Sequence, residues 1–380
     1  MNNETALYLD KPAEVEGFLS QISDVRELAI DTEGASFHRF LDRIYLLQLS
    51  TRERNAIIDP LPIGSPRKLG DLLQDKSIEV VFHDADYDLR LLHQDYGWHV
   101  TNIFDTRVAA QLLGIKSFGL AALLEQFFDV KLDKKHQRAD WSMRPLPHDM
   151  LEYAAQDTRY LLQLRDHMKS ELQLRGRWTW AQEEFARLEG TRWETEAEME
   201  GFLRLKGARD LTRRELAVLR EVSNWREKMA EQLDRATFRV MGNEVLFELA
   251  RQAPRNVTEL SSIKGMPRGM VERGGADLVA AIRRGLEAPE AELPKFPRGQ
   301  RWNKDRDFDD RVARLKTVRD AAATRLELDP GVLCSRERLE NVARSGAKSV
   351  DELEKVPDLR RWQVEEMGED FLKALRSPSA

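Results

Sequence analysis

The first 105 residues alternate between short apolar runs and polar turn positions, a pattern that is typical of β-strands. The predicted strands are Glu27–Glu33, Arg43–Ser50, Asn55–Asp59, Ile78–His83 and Val100–Phe104. The short connections between the first three strands favour an antiparallel meander, which Pro60 and Pro62 bring to an end.

Leucine-rich stretches with helical spacing separate and follow the later strands. The predicted helices are Leu69–Leu73, Asp86–Tyr96, Thr106–Leu113, Leu120–Phe128 and one long helix over Leu151–Leu174. Three strands followed by alternating helices and strands predict an α/β fold, a mixed sheet covered by helices with its chemistry at one edge. Residues 133–147 contain few apolar anchors, so we predict a loop near that edge.

Beyond residue 206 the apolar pattern is helical throughout, and it repeats at a constant offset of 93 residues. The matched pairs are Ala230 and Ala323, Leu233 and Leu326, Val240 and Leu333, Leu246 and Leu339, Ala250 and Ala343, Leu260 and Leu353, and Ile263 and Val356. Each copy predicts a unit of about five short helices. The predicted domains are an α/β domain over 1–175, a helical connector over 176–206, helical units over 207–288 and 309–380, and a Pro-rich charged linker over 289–308.

Composition narrows the class of protein. At 380 residues, with 41% hydrophobic and 33% charged positions, the chain fits a soluble globular protein of two or three domains. It has no run of 18 apolar residues that would form a membrane span, and its first residues lack the pattern of a signal peptide. A single cysteine, Cys334, leaves no intrachain disulfide and no cysteine-based zinc site. We therefore expect a cytoplasmic protein without membrane association.

The formal net charge of −6 does not itself indicate a nucleic-acid partner. Residues 204–300 nevertheless contain 19 Lys and Arg against 14 Asp and Glu, so this segment is mildly basic while the rest of the chain is acidic. A phosphate-binding face and an ordinary solvated surface both fit this distribution. The candidates for such a face are Arg213, Arg214, Lys228, Arg235 and Arg239.

Two carboxylates at the end of the first predicted strand are the strongest chemical signal. Asp31 and Glu33 are one residue apart, so on a strand both point to the same side. Paired carboxylates are the ligands that Mg²⁺ prefers. Asp88 and Asp157 are further candidates, and Tyr153 lies one helical turn before Asp157. Four such acids at one sheet edge would suffice for two divalent ions.

Other acids have simpler interpretations. Asp84 and Asp86 precede Asp88 and are expected at the solvated start of a helix, where they favour the helix dipole. Asp59 and Asp105 are expected in a turn and a helix cap. A glycine-rich phosphate loop and a Ser-His-Asp or Cys-His nucleophile are not recognisable in the sequence.

Together, Asp31-Thr32-Glu33, His83-x4-Asp88-Leu89 and Tyr153-x3-Asp157 resemble the three motifs of the DEDD exonuclease superfamily. They resemble its tyrosine branch, since the histidine branch would place His where Glu152 stands. The stretch from Asp105 to Asp157 is similar to the ribonuclease D family. The repeated helical units resemble HRDC domains, the first more clearly than the second. The resemblance implies a ribonuclease H-like nuclease domain followed by two all-α HRDC-like domains.

The resemblance further implies a 3′→5′ exoribonuclease that releases nucleoside 5′-monophosphates and trims structured RNAs such as tRNA precursors. Two divalent ions, Mg²⁺ or Mn²⁺, would be held by Asp31, Glu33, Asp88 and Asp157. Of these, Asp88 would serve the second ion, which stabilises the leaving oxygen. Tyr153 would orient the attacking water, because a phenol with a pKa near 10 is a weak base at neutral pH. RNA with an accessible 3′ end is the implied partner, and no obligate protein partner is evident.

Several residues beside the motifs are candidates for contacting RNA, namely Thr32, Phe37, His83, Trp141 and Arg144. Phe37 either stacks on the terminal nucleotide or belongs to a plain loop. Trp141 and Arg144 either line an RNA channel or anchor their loop to the core. His83 either packs behind the site or touches the substrate.

Two other functions stay open from the sequence. A DNA 3′→5′ exonuclease is less favoured, because no polymerase or helicase segment accompanies these motifs. A non-catalytic RNA-binding scaffold is also less favoured, because all four acids and the tyrosine are present.

Overall fold

A computed structural model of the chain describes residues 6–132, 135–193, 200–297 and 307–376. Residues 194–199 of the predicted connector and 298–306 of the predicted linker lie outside the described residues. The described strands form one six-stranded sheet. They are β1 (Leu7–Leu9), β2 (Glu27–Glu33), β3 (Leu46–Ser50), β4 (Asn55–Ile58), β5 (Glu79–Phe82) and β6 (Ile103–Asp105).

The order of strands in the sheet is β1-β4-β3-β2-β5-β6. Strands β2, β3 and β4 pair antiparallel, as the short connections predicted. Strands β1, β5 and β6 join in parallel, so the prediction of a mixed sheet is confirmed. Strand β1 and the helix α1 (Pro12–Gln21) that follows it were not predicted. A three-residue strand is too short to show a period of two in the sequence.

Helices cover both faces of the sheet. After α1 they are α2 (Pro60–Ile63), α3 (Arg67–Gln74), α4 (Asp86–Tyr96), α5 (Thr106–Leu112), α6 (Leu120–Phe128), α7 (His148–Arg159), α8 (Leu161–Leu174) and α9 (Trp178–Leu188). The prediction of one long helix over Leu151–Leu174 was wrong, because α7 ends at Arg159 and α8 begins at Leu161, with Tyr160 between them at φ −105°, ψ −1°. The break lets α7 pack on β3 and β4 while α8 packs on α5 and β5.

Alternation along β2 sets the position of the acids. Leu28 and Ile30 are buried in the core on one face of the sheet, and Ala29 is buried in the core on the other. Because side chains alternate with a period of two, Asp31 and Glu33 continue the face of Ala29. Both α7 and α8 contact β2, so this face of the strand is covered by the helix that carries Tyr153 and Asp157.

Two helical units follow, each with five α-helices among the described residues, and the first also contains short 3₁₀ helices at Gly201–Arg204, Ala208–Asp210 and Glu290–Glu292. The first helical unit (residues 200–297) contains α10 (Arg213–Leu233), α11 (Thr237–Val240), α12 (Asn243–Gln252), α13 (Val257–Ser261) and α14 (Arg268–Glu287). The second helical unit (residues 307–376) contains α15 (Phe308–Leu326), α16 (Pro330–Leu333), α17 (Arg336–Ser345), α18 (Val350–Leu353) and α19 (Arg361–Arg376). The last four helices of the second unit each begin 93 residues after their counterparts, which confirms the repeat.

The two units attach to the α/β domain differently. Buried residues of the first unit form a core of their own, from Phe202 to Ile282. The core of the second unit is continuous with the core formed by α5, α6, α8 and α9 of the α/β domain. Trp362 of α19 stacks on Trp180 of α9, with ring centroids 4.7 Å apart. Across the described parts of the chain, no helix combines the length and apolarity needed to cross a bilayer.

Candidate active site

Strand β2 ends at a cleft and carries two of the predicted acids into it. Asp31 and Glu33 both line this cleft, which has a volume of about 900 Å³. Asp31 lies opposite Gln48 of β3 in the sheet register. The Gln48 amide also lies 3.4 Å from Glu33 Oε1, to which it donates. The antiparallel partner strand therefore helps to fix the orientation of the Glu33 carboxylate.

Helix α7 places Tyr153 and Asp157 at the same cleft. The two residues are four positions apart and so project from one face of the helix. Small buried residues between them, Ala154 and Ala155, allow α7 to approach the sheet closely. The Tyr153 ring packs beside Trp141, with a centroid distance of 6.1 Å, and beside His136 at 5.8 Å.

Three of the four predicted acids converge. Asp31, Glu33 and Asp157 each offer a carboxylate oxygen, and these three oxygens lie within 4.8 Å of one another. All three side chains keep part of their surface open to the cleft. The structure thus brings together residues from a strand near position 30 and a helix near position 155.

Asp88 lines the same cleft but does not belong to this group of three. It is buried in the first turn of α4, and Thr32 binds it from β2. The Thr32 backbone N–H donates to Asp88 Oδ1 at 3.0 Å, and the Thr32 hydroxyl donates to the same oxygen at 2.5 Å. Thr32 therefore positions Asp88, and one oxygen of this carboxylate is already bound.

The electrostatic state of the acids follows from their crowding. Burial raises the pKa of Asp31, Glu33 and Asp88 well above the ordinary value, and the neighbouring carboxylates raise it further. Burial and the charge of Asp88 raise the pKa of Asp157 to about 7. Within the described ranges, none of the four acids has an ion pair with Lys or Arg. Carboxylates crowded together without a basic partner are a donor set that fits a hard divalent cation.

His83 forms the wall of the cleft beside Asp88. Its Nδ1 lies 2.9 Å from the Thr106 hydroxyl, which itself donates to the Phe82 carbonyl. Burial lowers the pKa of His83 to about 4, and the Arg107 charge contributes. The ring is therefore neutral at pH 7 and interacts as a neutral imidazole. Phe37 also lines the cleft, and this residue is 43% exposed.

The two predicted RNA contacts in the loop before α7, Trp141 and Arg144, lie in different surroundings. Trp141 lines the cleft, yet it is almost completely buried in a core with Tyr45, Ile57 and Met150. Arg144 does not line the cleft. Its guanidinium pairs with the buried Asp59 and donates to the Tyr45 carbonyl at 2.9 Å. Because these partners occupy the guanidinium, Arg144 anchors its loop to the sheet rather than extending toward a substrate.

The remaining acids have structural partners. Asp59 caps the N-terminus of α2 and accepts the Leu61 N–H, and Asp105 caps α5 and accepts four backbone N–H groups, two of them from α5. Both agree with the predicted turn and cap. Asp86 pairs with Arg90 in the first turn of α4. Asp84 forms an ion pair with Arg107 and lines the cleft without joining the three converging carboxylates.

Sequence reasoning did not predict that the first helical unit reaches the mouth of the cleft. The loop after β2 meets the start of α11, where the Ala236 N–H donates to the His38 carbonyl at 3.2 Å. Arg39 pairs with Asp234 at 3.1 Å. Phe238 contacts Phe37 edge to face, with ring centroids 6.2 Å apart. These partners are about 200 residues apart in sequence, so no local pattern could reveal them.

Family models match most of this architecture. A model described as 3′–5′ exonuclease matches residues 7–173, which include all four acids and Tyr153. The HRDC domain model matches residues 215–282 and again 308–375. The predicted HRDC-like nature of both helical units is therefore confirmed, including that of the second, weaker copy.

Relatives align over most of the chain. The ribonuclease D of Granulibacter bethesdensis is 31% identical over 348 residues, which cover 91% of this chain and 86% of that protein. A protein from Bifidobacterium adolescentis has a similar structure, with a TM-score of 0.85, 25% identity, and coverage of 99% of this chain and 98% of the other. The Escherichia coli RNase D structure, described as an exoribonuclease involved in structured RNA processing, gives a TM-score of 0.75 at 25% identity, covering 98% of this chain and 99% of the other.

The chain belongs to the ribonuclease D family. Its fold is a mixed α/β nuclease domain followed by two HRDC domains, as the sequence motifs predicted. The chain is accordingly a hydrolytic 3′–5′ exoribonuclease of the DEDD type.

Proposed function

We propose that this member of the ribonuclease D family trims the 3′ ends of structured RNAs, tRNA precursors among them, and releases nucleoside 5′-monophosphates. The observation that carries the proposal is the convergence of Asp31, Glu33 and Asp157 within 4.8 Å, with Asp88 in the same cleft. Carboxylates in this arrangement are suited to hydrolysis of a phosphodiester, where negative charge must be neutralised at the reacting phosphate.

The four acids divide into two roles in this proposal. Asp31, Glu33 and Asp157 hold one divalent ion, Mg²⁺ or Mn²⁺, because their oxygens already converge. Asp88, fixed by Thr32, helps Asp31 to hold a second. When bound, such ions supply Lewis-acid stabilisation of charge at the phosphate and the leaving 3′ oxygen.

The other cleft residues orient the reactants. Tyr153 lies one turn from Asp157, so its hydroxyl is suited to orient the attacking water by a hydrogen bond. An ordinary phenol is protonated at pH 7 and is a weak base, so orientation is the role we assign. Neutral His83 and exposed Phe37 line the walls against which the terminal nucleotide would lie. Arg144 is excluded from this set, because its guanidinium is bound to Asp59.

The substrate class rests on the family. The Escherichia coli relative is described as acting in structured RNA processing, and this chain matches it over 98% of its length. We propose the same class here, RNA with an unpaired 3′ tail next to a folded body. The site of action we propose is the cytoplasm, where tRNA precursors are available, and the proposal requires no protein partner.

The test is digestion of a 5′-labelled RNA that carries an unpaired 3′ tail, with Mg²⁺, with Mn²⁺ and with EDTA. The expected result is a metal-dependent ladder that shortens from the 3′ end, with nucleoside 5′-monophosphates identified by chromatography. Asp31→Asn should abolish the ladder while RNA binding persists. Asp86→Asn is the matched control, because Asp86 is a nearby acid that pairs with Arg90 outside the cluster.

The alternatives give different outcomes in the same experiment. Equal digestion of a matched DNA 3′ end would favour a DNA exonuclease. RNA binding without digestion under either metal would favour a non-catalytic scaffold. Normal activity of Asp31→Asn would overturn the assignment of the cluster. Tyr153→Phe should slow the maximal rate without lowering the melting temperature, and an unchanged rate would remove Tyr153 from the mechanism.

A further inference from the structure

Two aromatic rings from different parts of the chain lie together at the mouth of the cleft. Phe37 follows β2 and lines the cleft. Phe238 lies on α11 of the first helical unit, and this residue is 51% exposed. The rings meet edge to face, with centroids 6.2 Å apart and an interplanar angle of 77°. Large exposed aromatic groups in contact with each other indicate a binding surface.

The packing of the first unit does not require Phe238 at this position. In α11 the buried residue is Val240, which belongs to the apolar core of the unit, whereas Phe238 lies outside that core. Phe37 likewise lies outside the buried cores of the α/β domain. Neither ring is therefore explained by the stability of its own domain.

Hydrogen bonds between the loop after β2 and the start of α11 hold the two rings next to each other. The Arg239 guanidinium donates to the Phe37 carbonyl. The Ala236 N–H donates to the His38 carbonyl at 3.2 Å, and the Phe40 N–H donates to Asp234 Oδ1 at 3.4 Å. The pair of rings is thus a fixed feature of the docked first unit.

One guanidinium group lies over each ring. Arg138 lies 5.2 Å from the centroid of Phe37, and Arg239 lies 5.9 Å from the centroid of Phe238. Aromatic faces alternating with cationic groups are the arrangement that binds single-stranded nucleic acid, since bases stack on the rings and phosphates neutralise the cations. A double helix presents paired bases and cannot use such faces.

We propose that Phe238, with Arg138 and Arg239, extends the Phe37 wall of the cleft into a base-stacking platform for unpaired nucleotides that lie upstream of the 3′-terminal one. This inference rests on the proposed exoribonuclease function and adds a role for the first helical unit in it. Phe37 lines the cleft, whereas Phe238 contacts Phe37 from outside that lining, so the platform leads outward from the site. Stacking accepts any base, so the platform selects unpaired tails by structure and not by sequence.

The test compares substrates of different length. Phe238→Leu keeps an apolar side chain but removes the aromatic face, and Phe238→Trp keeps the face. On RNA with a 12-nucleotide tail, Phe238→Leu should raise KM about ten-fold with little change in kcat, whereas Phe238→Trp should stay close to wild type. On a dinucleotide, which is too short to reach Phe238, the effect of Phe238→Leu should be much smaller. The control is Val257→Ala, an exposed apolar residue of α13 in the same unit.

A second measurement separates stacking from a merely structural contact between domains. Single abasic sites are placed at each of the first five positions from the 3′ end. At one position, removing the base should weaken RNA binding by the wild-type protein by about the same factor as Phe238→Leu weakens binding of intact RNA. Combining that abasic RNA with the Phe238→Leu variant should weaken binding no further. Additive losses at every position, or a KM effect of Phe238→Leu that is equal on the dinucleotide, would overturn the platform. If wild type digests no RNA at all, the proposed function fails instead.

Discussion

The apolar core of the first helical unit is formed by residues of that unit alone, whereas the core of the second unit continues into the α/β domain. The first unit meets the α/β domain through polar and aromatic contacts at the cleft mouth, such as Arg39 with Asp234. The second meets it through stacked Trp180 and Trp362 and through Arg177, which donates to carbonyls of both Leu112 and Leu326. Copies of one fold are therefore attached in two physically different ways.

The difference indicates a division of roles. Apolar burial is the dominant source of folding free energy, so a shared core makes the second unit and the α/β domain one cooperative body. Exposed ion pairs and single hydrogen bonds contribute little each, so the first unit can move relative to that body at small cost. The unit that is cheaper to move is the one that reaches the active site.

The largest expected effect comes from removing one indole in each core. Trp362→Ala deletes a buried ring at the junction and should lower the free energy of unfolding of the α/β domain and second unit together by about 3–5 kcal/mol. Trp225→Ala is the matched change in the core of the first unit. It should lower the free energy of unfolding of the first unit only. Denaturant unfolding monitored by amide exchange distinguishes the two bodies. If both variants destabilised both bodies by the same amount, the proposed difference between the two attachments would be contradicted.

The acidic cluster should make only one of the two bodies sensitive to pH. Without metal, Asp157 binds a proton with a pKa of about 7 in the folded protein and near 3.9 when unfolded. The folded state therefore holds the proton more tightly, and the stability it contributes is lost as pH rises through about 7.

In EDTA, the titration of Asp157 alone should lower the free energy of unfolding of the body that holds the cluster by about 2–3 kcal/mol between pH 5 and pH 8, and the raised pKa values of Asp31, Glu33 and Asp88 should add to this fall. The first unit, which carries none of the four acids, should show no such slope. Asp157→Asn should make the slope less steep without abolishing it, because the pKa values of Asp31, Glu33 and Asp88 are raised as well, and Mg²⁺ should restore stability at pH 8. A slope of equal size in both bodies would contradict this prediction.

Two glycines can be used to test how closely the second unit packs against the α/β domain. Gly114 and Gly97 both have left-handed backbones, with φ of +77° and +70°. A Cβ at Gly114 would lie 2.3 Å from the Glu327 carbonyl oxygen of the second unit, whereas one at Gly97 would have no neighbour within 4 Å. Both alanine variants incur the backbone cost of about 1 kcal/mol, and only Gly114→Ala adds about 2 kcal/mol for the displaced second unit. Equal melting temperatures for the two variants would contradict this prediction, because they would show that the contact between residue 114 and Glu327 relaxes to accommodate the added methyl group.

Local patterns in the sequence predicted the features that depend on local periodicity. The period of two placed Asp31 and Glu33 on one face, and the offset of 93 residues marked helices that do begin 93 residues apart. The break at Tyr160 was missed, because it depends on which elements α7 and α8 pack against. Arg144 was a candidate for RNA contact because its partner Asp59, 85 residues earlier, could not be known from the sequence. The contacts of Phe238 were missed for the same reason, since only the tertiary structure brings α11 to the loop after β2.

The smallest effect should come from two matched aspartates at the two attachments. Asp234 and Asp358 both have positive φ, 44° and 62°, and their side chains are 60% and 57% exposed. Asp234 of the first unit pairs with Arg39, and Asp358 of the second pairs with Arg187 of α9. Asparagine tolerates a left-handed backbone, so Asp→Asn removes the charge without backbone strain. Each change should alter the free energy of unfolding by less than about 1 kcal/mol.

Their effects on docking should nevertheless differ. Asp234→Asn removes one of few contacts of the first unit, so exchange of the Ala236 amide, which donates to His38, should accelerate several-fold while the Leu246 amide in the core stays protected. Asp358→Asn should leave amides at the second junction, such as that of Trp362, unchanged, because the shared core still holds the unit in place. High salt should reproduce the first result in the wild-type protein, since the Arg39–Asp234 pair is exposed to screening. If both variants accelerate exchange equally, an ion pair matters as much at the buried junction as at the cleft mouth, and the first unit is then no easier to release than the second.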